Sequence, residues 1–459
     1  MDRKDEHSKN LLSQVNSLIE NNKILEVREL IEEYHNRDIF DILESLDEDK
    51  QIKLFEILPI DMAASILDDA DSEFFKNTLS KVSIEHKSNI LELMSLDDMA
   101  DILGELEENE REEFINLLNH EDAEDVKELL IYEEESAGGI MTTGYISINK
   151  DMKAKEAIEY MRENAIDAET IYYIYVVDNE EKLVGVLSLR ELITSREDII
   201  VEDLMSENII SVYVDEDREK AVKLVSKYDL IAIPVIDRDD TLKGIITVDD
   251  VIDVIEEEAT EDMYKFAGSS EHERDIVEQN NVEPMNQVMA SVKARIPWLI
   301  ITLLGGFLAT LMLSKFEYII DSKYFALIYF IPLVTGMGGN IGTQSSALTV
   351  MALANKDLEM KNVFLEGLVG FLTGILCSII IGIATFIFVK DINITLVVSV
   401  SLFINMTIGA MIGAFLPMLF KTIDVDPSTL SAPLIATALD ISGITVYFII
   451  TTIILSKIA

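Results

Sequence analysis

Long apolar segments dominate the last third of the chain. Each approaches or exceeds the roughly 20 apolar residues that a helix needs to cross a bilayer, where every backbone polar group must be paired within the segment. The pattern predicts five transmembrane helices, at residues 296–314, 324–354, 363–389, 392–420 and 427–456.

The pattern before these segments is that of two repeated soluble domains. Residues 138–258 contain two copies of the order strand, helix, strand, turn, strand, helix, in which Gly185-Val-Leu-Ser188 reappears as Gly244-Ile-Ile-Thr247. Within residues 38–130, Asp38-Ile-Phe-Asp41 is echoed by Asp98-Met-Ala-Asp101, with leucines at helical spacing. We therefore expect stacked helices, then an α/β pair, a linking helix and an α-helical membrane domain.

Charge divides the chain at the same place. Residues 291–459 contain nine acidic and nine basic residues, so the formal charge of −47 belongs to residues 1–290. The N-terminus lacks the apolar core of a secretory signal, so we expect the soluble domains to stay in the cytoplasm. Five spans would then put the C-terminus outside, although Lys and Arg in the short loops give only a feeble bias for this orientation. The single cysteine, Cys377, rules out an intrachain disulfide.

Asp440 is the only acid well inside a predicted span. A carboxylate at the bilayer centre costs roughly 2.5 to 3.5 kcal/mol on insertion scales, so such residues are usually functional. Ala432 and Ala436 share its helix face at i, i+4, i+8 spacing, and Pro433 is expected to kink the helix and free the Thr429 carbonyl. This face suits a cation or proton pathway; the alternative is an acid that only holds helices together.

A second polar cluster, Gly336–Ser346, lies in the second apolar segment. Gly338 and Gly342 form a G-x-x-x-G, which helix packing alone explains as well as a pore does. Helix packing explains the glycines but not the polar side chains between them. The candidate pore-lining residues are therefore Asn340, Thr343 and Gln344. Glu366 and Asn405 are weaker candidates for a vestibule.

Acidic side chains cluster where the soluble domains must meet the linking helix, at Asp249, Asp250, Asp253, Glu256–Glu258, Glu261 and Asp262. One explanation is that these acidic side chains simply form a solvated surface. The alternative is that Mg²⁺ or Ca²⁺, which prefer carboxylate and carbonyl oxygen, hold the acidic faces together until the ion is depleted.

The repeat at residues 138–258 resembles a pair of CBS (cystathionine-β-synthase-type) domains. That resemblance implies an adenosine-nucleotide cleft in which a Ser or Thr and an Asp three residues later hold phosphate and ribose. Thr247 and Asp250 match fully, whereas Ser188 is followed by Glu191, with Arg190 available for phosphate. A purely structural pair is the alternative. With Tyr173, these residues form a predicted site for regulatory ATP.

Several motifs together resemble the MgtE family of magnesium channels, over essentially the whole chain. They are Ser136-Ala-Gly-Gly139, Glu169-Thr-Ile-Tyr-Tyr173, Glu258-Ala-Thr-Glu261-Asp262, Gly338-Gly-Asn340-Ile-Gly342-Thr-Gln344 and Asp426-Pro427 through Asp440. The resemblance implies an acidic N domain at 1–135, CBS domains at 136–200 and 201–258, a plug helix at 259–292 and a pore domain at 293–459.

The resemblance further implies a homodimer in the cell membrane whose pore holds Mg²⁺ at Asp440, Ala436 and Ala432. Regulatory Mg²⁺ is expected at positions matching Asp97, Asp101, Gly139, Glu219, Asp229, Asp250, Asp253, Glu258, Glu261, Asp262 and Asp426. The chain departs from the family pattern at Ala432, where many relatives carry Asn, at Thr343, where Asn is usual, and at Met351, where Arg is common.

The sequence is also compatible with two functions other than a magnesium channel. Asp440 can serve a proton or sodium relay in an exchanger, and the CBS pair can report nucleotide to a partner without any transport. An enzyme is not expected, because the five histidines are scattered and no nucleophile and base are placed together; no nucleic-acid partner is expected either. No G-x-x-x-x-G-K-[ST] phosphate loop is present, consistent with passive transport.

Overall fold

The computed structural model describes residues 2–21, 23–68, 70–165, 168–269, 273, 284–315, 322–355, 360–423, 425–430 and 432–457. It divides into two compact units, Met1–Glu256 and Glu257–Ala459. The first unit holds the helical and CBS parts, and the second holds the membrane helices.

Short helices build the first part of the soluble unit. Their bounds are α1 Asp2–Glu20, α2 Ile24–Ile31, α3 Asn36–Ser45, α4 Glu48–Phe55, α5 Ile60–Asp68, α6 Ser72–Leu79, α7 Ile84–Leu91, α8 Leu96–Gly104, α9 Glu108–Ile115 and α10 His120–Leu129. Many begin at a capping side chain: Asp71 accepts a hydrogen bond from the Phe74 amide at 2.6 Å, and Asn119 caps α10 in the same way.

The short helices stack in alternation. Helix α3 packs on α5 and α5 on α7, while α6 packs on α8 and α8 on α10. Phe55 and Phe75 are fully buried between them, in a core that continues into the second CBS domain. The predicted helical-repeat N domain is confirmed.

Two small sheets follow, one for each predicted repeat. The elements are β1 Ser147–Asn149, α11 Ala154–Asn164, β2 Tyr173–Val177, β3 Leu183–Ser188, α12 Leu189–Thr194, β4 Val212–Tyr213, α13 Arg218–Tyr228, β5 Ala232–Ile236 and β6 Leu242–Thr247. In both sheets the first two strands are parallel and the last two antiparallel. Both also shift register at matching places, between Val176 and Val177 and between Val235 and Ile236. The duplicated α/β pair is thus confirmed.

The linking helix differs from its predicted extent. Helix α14 begins earlier, at Val248, and ends at Ala267. At its start the Asp250 carboxylate accepts a hydrogen bond from the Thr247 amide, and Gly268 ends the helix with a φ of 81°, a conformation that favours glycine. Of the rest of the predicted plug helix, residues 270–272 and 274–283 lie outside the described residues. The next helix then begins at Pro284, inside the predicted linking segment.

Five described helices are long and apolar enough to cross a membrane, which confirms the predicted number. They are α15 Pro284–Lys315, α16 Ile331–Asn355 with a preceding 3₁₀ turn Ser322–Phe330, α17 Lys361–Val389, α18 Ile392–Thr422 and α19 Ala432–Ser456. Helix α18 is the most enclosed and packs on α16, α17 and α19.

Glycines let α16 and α18 approach each other closely. A Cβ on Gly409 would lie 2.6 Å from the Gly338 carbonyl oxygen, and one on Gly413 would overlap the Gly342 carbonyl. Gly338 and Gly342 therefore serve helix packing, the simpler of the two explanations offered by their spacing.

Candidate ion pathway and cation-sensing site

Asp440 lies on an open face of α19. Its side chain is exposed within the protomer, and among the described residues it has neither a hydrogen bond nor an ion pair. Ala436 and Ala432 lie one and two turns earlier and are half-buried. The face is therefore lined by small residues and ends on a carboxylate that the protomer does not cover.

Pro433 does not kink the helix. It is the second residue of α19, where its missing N–H would be unpaired in any case, and Thr429 belongs to a separate 3₁₀ turn, Pro427–Thr429. The Pro433 carbonyl accepts a hydrogen bond from Thr437 Oγ1 at 2.9 Å. The expected release of the Thr429 carbonyl from within a kinked helix is thus wrong.

Polar side chains of α16 lie on a face that is not packed in the protomer. Asn340 and Gln344, four residues apart, are exposed, whereas Gly338 and Gly342 face α18. Thr343 is half-buried, and its hydroxyl donates to the carbonyls of Gly339 and Asn340 at 3.0 Å. Leu439 packs on Gly342, so this part of α16 lies beside the Asp440 region of α19.

Glu366 and Asn405 lie between helices. Glu366 of α17 accepts a hydrogen bond from Ser345 Oγ of α16 at 2.8 Å. Asn405 is 1% exposed, and its Nδ2 donates to the Val334 carbonyl at 2.6 Å. A vestibule role for either residue, a weak expectation from sequence, finds no support in these contacts.

The end of α14 packs on the start of α19 within the membrane unit. Phe266 joins the apolar cluster of Leu430, Ile435 and Leu439. Its neighbour Lys265 pairs with Glu261, and its ammonium lies 3.7 Å from Asp426 Oδ2. Displacement of α14 would therefore change the packing around Leu439, the residue before Asp440.

Asp426 and Glu261 already serve structural contacts. Asp426 caps the turn before α19 by accepting from the Ser428 amide at 2.8 Å and the Ser428 hydroxyl at 2.5 Å. Glu261 is 6% exposed. A cation bound at either residue would therefore compete with Lys265. Glu258 and Asp262 lie on the same helix and also have side-chain interactions.

Carboxylates crowd together where α8 meets the CBS domains. Burial raises the pKa of Asp97 and, with the charges of Asp97, Asp68, Asp250 and Asp101, raises that of Asp98 to about 9. Burial raises the pKa of Asp250 to about 6, and the pKa of Glu169 also rises. We call Asp97, Asp98, Glu169 and Asp250 the α8 acidic cluster.

The donor chemistry of the α8 acidic cluster fits a hydrated Mg²⁺. A divalent cation would relieve the repulsion that, after burial, adds to these pKa shifts, and Mg²⁺ usually keeps several of its waters. Among the described residues no group of three or more His, Cys, Asp or Glu side chains is arranged to hold a metal ion.

Asp101 is exposed one turn after Asp98, and its charge helps to raise the pKa of Asp98. The other predicted regulatory residues are dispersed: Asp253 is exposed, Asp229 ends α13 in a left-handed conformation, and Glu219 pairs with Lys223. Gly139 packs so tightly against the backbone of Glu133 and Glu134 that a Cβ would clash. The structure therefore brings together only part of the predicted set.

The predicted nucleotide residues meet at matching strand ends. Tyr173 lies directly across from Ser188 in the first sheet, and Ala232 across from Thr247 in the second. Ser188 Oγ donates to Glu191 at 2.6 Å and caps α12 by accepting from the Glu191 amide, and Thr247 Oγ1 donates to Asp250 at 2.5 Å. The hydrogen bond from Ser188 keeps the pKa of Glu191 low. Arg190 is exposed beside it.

Family models match the helical N domain, both CBS domains and the membrane region from α16 into α19. A model described as "Divalent cation transporter" matches residues 331–450, one described as "MgtE intracellular N domain" matches 34–135, and CBS-domain models match 137–198 and 201–257. "Magnesium transporter MgtE" of Enterococcus faecalis is 37% identical over 69% of this chain and 68% of its own. The same-named protein of Thermus thermophilus is 37% identical over 71% and 72%. The chain belongs to the MgtE family.

Two solved structures of relatives match the soluble part of this family member. "Crystal structure of the soluble part of a magnesium transporter" is 37% identical, covering 55% of this chain and 99% of its own, with a TM-score of 0.50. "Crystal structure of the cytosolic domain of the Mg2+ channel MgtE in complex with ATP" is 34% identical, covering 53% and 99%, with a TM-score of 0.51.

Sequence reasoning misses part of the α8 acidic cluster in this family member. Asp98 and Glu169 are not among its candidate ligands, although Asp98 follows Asp97 directly and Glu169 begins one of the family motifs. Only the fold brings Glu169 near α8, because some 70 residues separate them in sequence. The available signal is the raised local density of acids at the N-terminus of α8.

Asp98 gives Mg²⁺ binding a distinctive proton signature. Its pKa of about 9 leaves it protonated at pH 8 without a cation. Because protonation then favours the folded state, this group's contribution to stability is lost as pH rises toward 9. Adding Mg²⁺ to the full chain in weak buffer at pH 8 should release a proton from Asp98, because its carboxyl must ionise to bind the ion.

Asp98→Asn should abolish that release, whereas Asp38→Asn should leave it intact. Asp38 is the matched control because it is the repeat counterpart of Asp98, also in the first turn of its helix, but exposed. Equal release by wild type and Asp98→Asn, measured with a pH indicator, would contradict the assignment.

Proposed function

We propose that this chain is a Mg²⁺-selective channel for uptake, closed by Mg²⁺ bound to its acidic cytoplasmic domains. The observation that carries the proposal is the exposed carboxylate of Asp440, which has no partner among the described residues, on a helix that is otherwise uncharged. A carboxylate cannot face hydrocarbon without a large cost, so it must face water or another protein surface. An ion pathway meets that requirement.

A second copy of the chain best completes the pathway. The Asp440 face of α19 and the Asn340 and Gln344 face of α16 are both uncovered in one protomer. Pairing two protomers through these faces shields the polar groups from lipid and brings two carboxylates to one axis. The proposed assembly is therefore a homodimer with its pore at the interface.

Hydrated Mg²⁺ suits such a pore. The ion sheds water reluctantly and keeps octahedral geometry, so two carboxylates and the carbonyls near Ala436 and Ala432 would select it by the size of its hydration shell. Entry needs no pump, since a doubly charged ion entering an inside-negative cell gains roughly 4.6 kcal/mol per 100 mV. That orientation has the soluble domains in the cytoplasm and the C-terminus outside.

Closure would follow from screening of acidic repulsion. Mg²⁺ at the α8 acidic cluster and at Asp101, Gly139, Glu219, Asp229, Asp253, Glu258, Glu261, Asp262 and Asp426 would hold the soluble domains and α14 in one arrangement. Phe266 then stays packed on Leu430, Ile435 and Leu439. Loss of Mg²⁺ would let the acidic side chains move apart. Helix α14 would then shift, and Phe266 would lose its contact with the start of α19.

Currents from purified protein in bilayers test the channel directly. Wild type should carry Mg²⁺ current that falls as Mg²⁺ on the soluble-domain side rises from zero to about 10 mM, the range of weak carboxylate sites. Asp440→Asn should lose most Mg²⁺ current, whereas Glu366→Gln, which changes the acid hydrogen-bonded to Ser345, should conduct. Absence of wild-type current, or flux that requires a proton or sodium gradient, would contradict the channel.

The same recordings test the coupling through Phe266. Phe266→Ala removes the contact with Leu430, Ile435 and Leu439, so current should persist at Mg²⁺ concentrations that close the wild type. Met263→Ala on the same helix is the control, because Met263 is 65% exposed. A normal closing midpoint in Phe266→Ala would show that closure does not pass through this contact.

We also propose that ATP binds the CBS pair and adjusts the response to Mg²⁺. Support comes from the matched strand ends at Tyr173, Ser188 and Thr247, and from the relative whose cytosolic domain is in complex with ATP. Calorimetry on the full chain should detect ATP binding, weakened at least severalfold by Tyr173→Ala. Tyr172→Ala, at a 64% exposed neighbour, should bind normally. Equal affinities would refute the cleft.

A further inference from the structure

Asn405 of α18 is a buried amide at the meeting point of three membrane helices. It is 1% exposed within an apolar span, where a polar side chain is stable only if it is hydrogen-bonded. Its Nδ2 donates to the Val334 carbonyl of α16 at 2.6 Å. That carbonyl has a second lone pair, so it can accept this bond in addition to its own helical one.

The backbones of α16 and α19 leave a slot for this amide. Gly338, one turn after Val334, lies so close that a Cβ there would overlap the Asn405 amide. On the other side, a Cβ on Gly443 of α19 would lie 2.9 Å from Nδ2 and 3.1 Å from Oδ1. The amide therefore fills the space between two glycine surfaces and separates the two helices by its own thickness.

The two helices so separated are those that carry the polar groups of the proposed pathway. Gly443 follows Asp440 by three residues, a rise of about 4.5 Å along α19. Val334 precedes Asn340 by six residues, a rise of about 9 Å along α16. The slot thus lies within about two helical turns of Asp440 and of Asn340, near enough to fix the position of one relative to the other.

We infer that Asn405 is a positioning residue that sets the spacing of α16 and α19 and thereby the width of the ion pathway at Asp440. The inference rests on the proposed channel function. The hydrogen bond fixes α18 to α16, and the contact with Gly443 sets where α19 lies against that pair. Asn405 itself touches no ion, so its effect should appear in the choice between ions of different size.

The permeability of Ca²⁺ relative to Mg²⁺, from reversal potentials of the full-length channel, measures that width. In Asn405→Ala the ratio should change by about threefold or more, the factor that an average interhelical hydrogen bond of about 0.6 kcal/mol supplies. The Mg²⁺ concentration that closes the channel should stay normal, because the acidic sites are unaltered. Ser401→Ala is the control: Ser401 lies one turn earlier on α18, is fully buried, and its hydroxyl has no partner among the described residues.

A second variant separates the hydrogen bond from simple packing. Asn405→Ala with Gly443→Ala refills the slot with a methyl group, so the permeability ratio should move back toward the wild-type value even though the bond to Val334 is absent. A ratio unchanged in conducting Asn405→Ala, or no nearer to wild type in the double variant, would overturn the inference while the channel function stands. A wild type that conducts no Mg²⁺ would overturn both.

Discussion

The cost of a carboxylate in an apolar span is the constraint on which the membrane unit depends. Asp440 is exposed in the protomer, so the chain is complete only when something other than lipid covers that face of α19. The small residues before it keep the face accessible to an ion, and the exposed Asn340 and Gln344 of α16 extend the polar surface. On another face of α16, Gly338 and Gly342 pack closely against Gly409 and Gly413 of α18.

A second electrostatic constraint acts in the soluble unit. In the α8 acidic cluster, burial together with the neighbouring negative charges raises the pKa of Asp98 to about 9, and a divalent cation would relieve the repulsion between these groups. Helix α14 begins with residues of this unit and ends in the membrane unit, where Phe266 packs on the start of α19. One helix thus contributes both an acid to the cluster and an apolar contact to the candidate pore.

Features with a strong local signal were predictable from sequence. Apolar length gave the five spans, and the repeated Gly-x-x-Ser/Thr strand ends revealed the duplicated sheets with their matching register shifts. Features that depend on three-dimensional neighbours were not. Pro433 appeared to lie inside a helix because Thr429 belongs to the same apolar run, and Asn405 gave no sign that it faces two glycines on different helices. Glu169 is distant from α8 in sequence and meets it only through the fold.

The central claim, that two copies of Asp440 face one another across a shared pathway, can be tested by cross-linking in native membranes. With Cys377 changed to alanine, Asp440→Cys should be joined by a short thiol-specific bifunctional reagent into a species of twice the 51.6 kDa chain. Phe388→Cys, at a position of α17 that is 77% exposed and has apolar neighbours, is the control and should remain mostly monomeric. Cross-linking of Asp440→Cys no greater than that of the control would contradict the account.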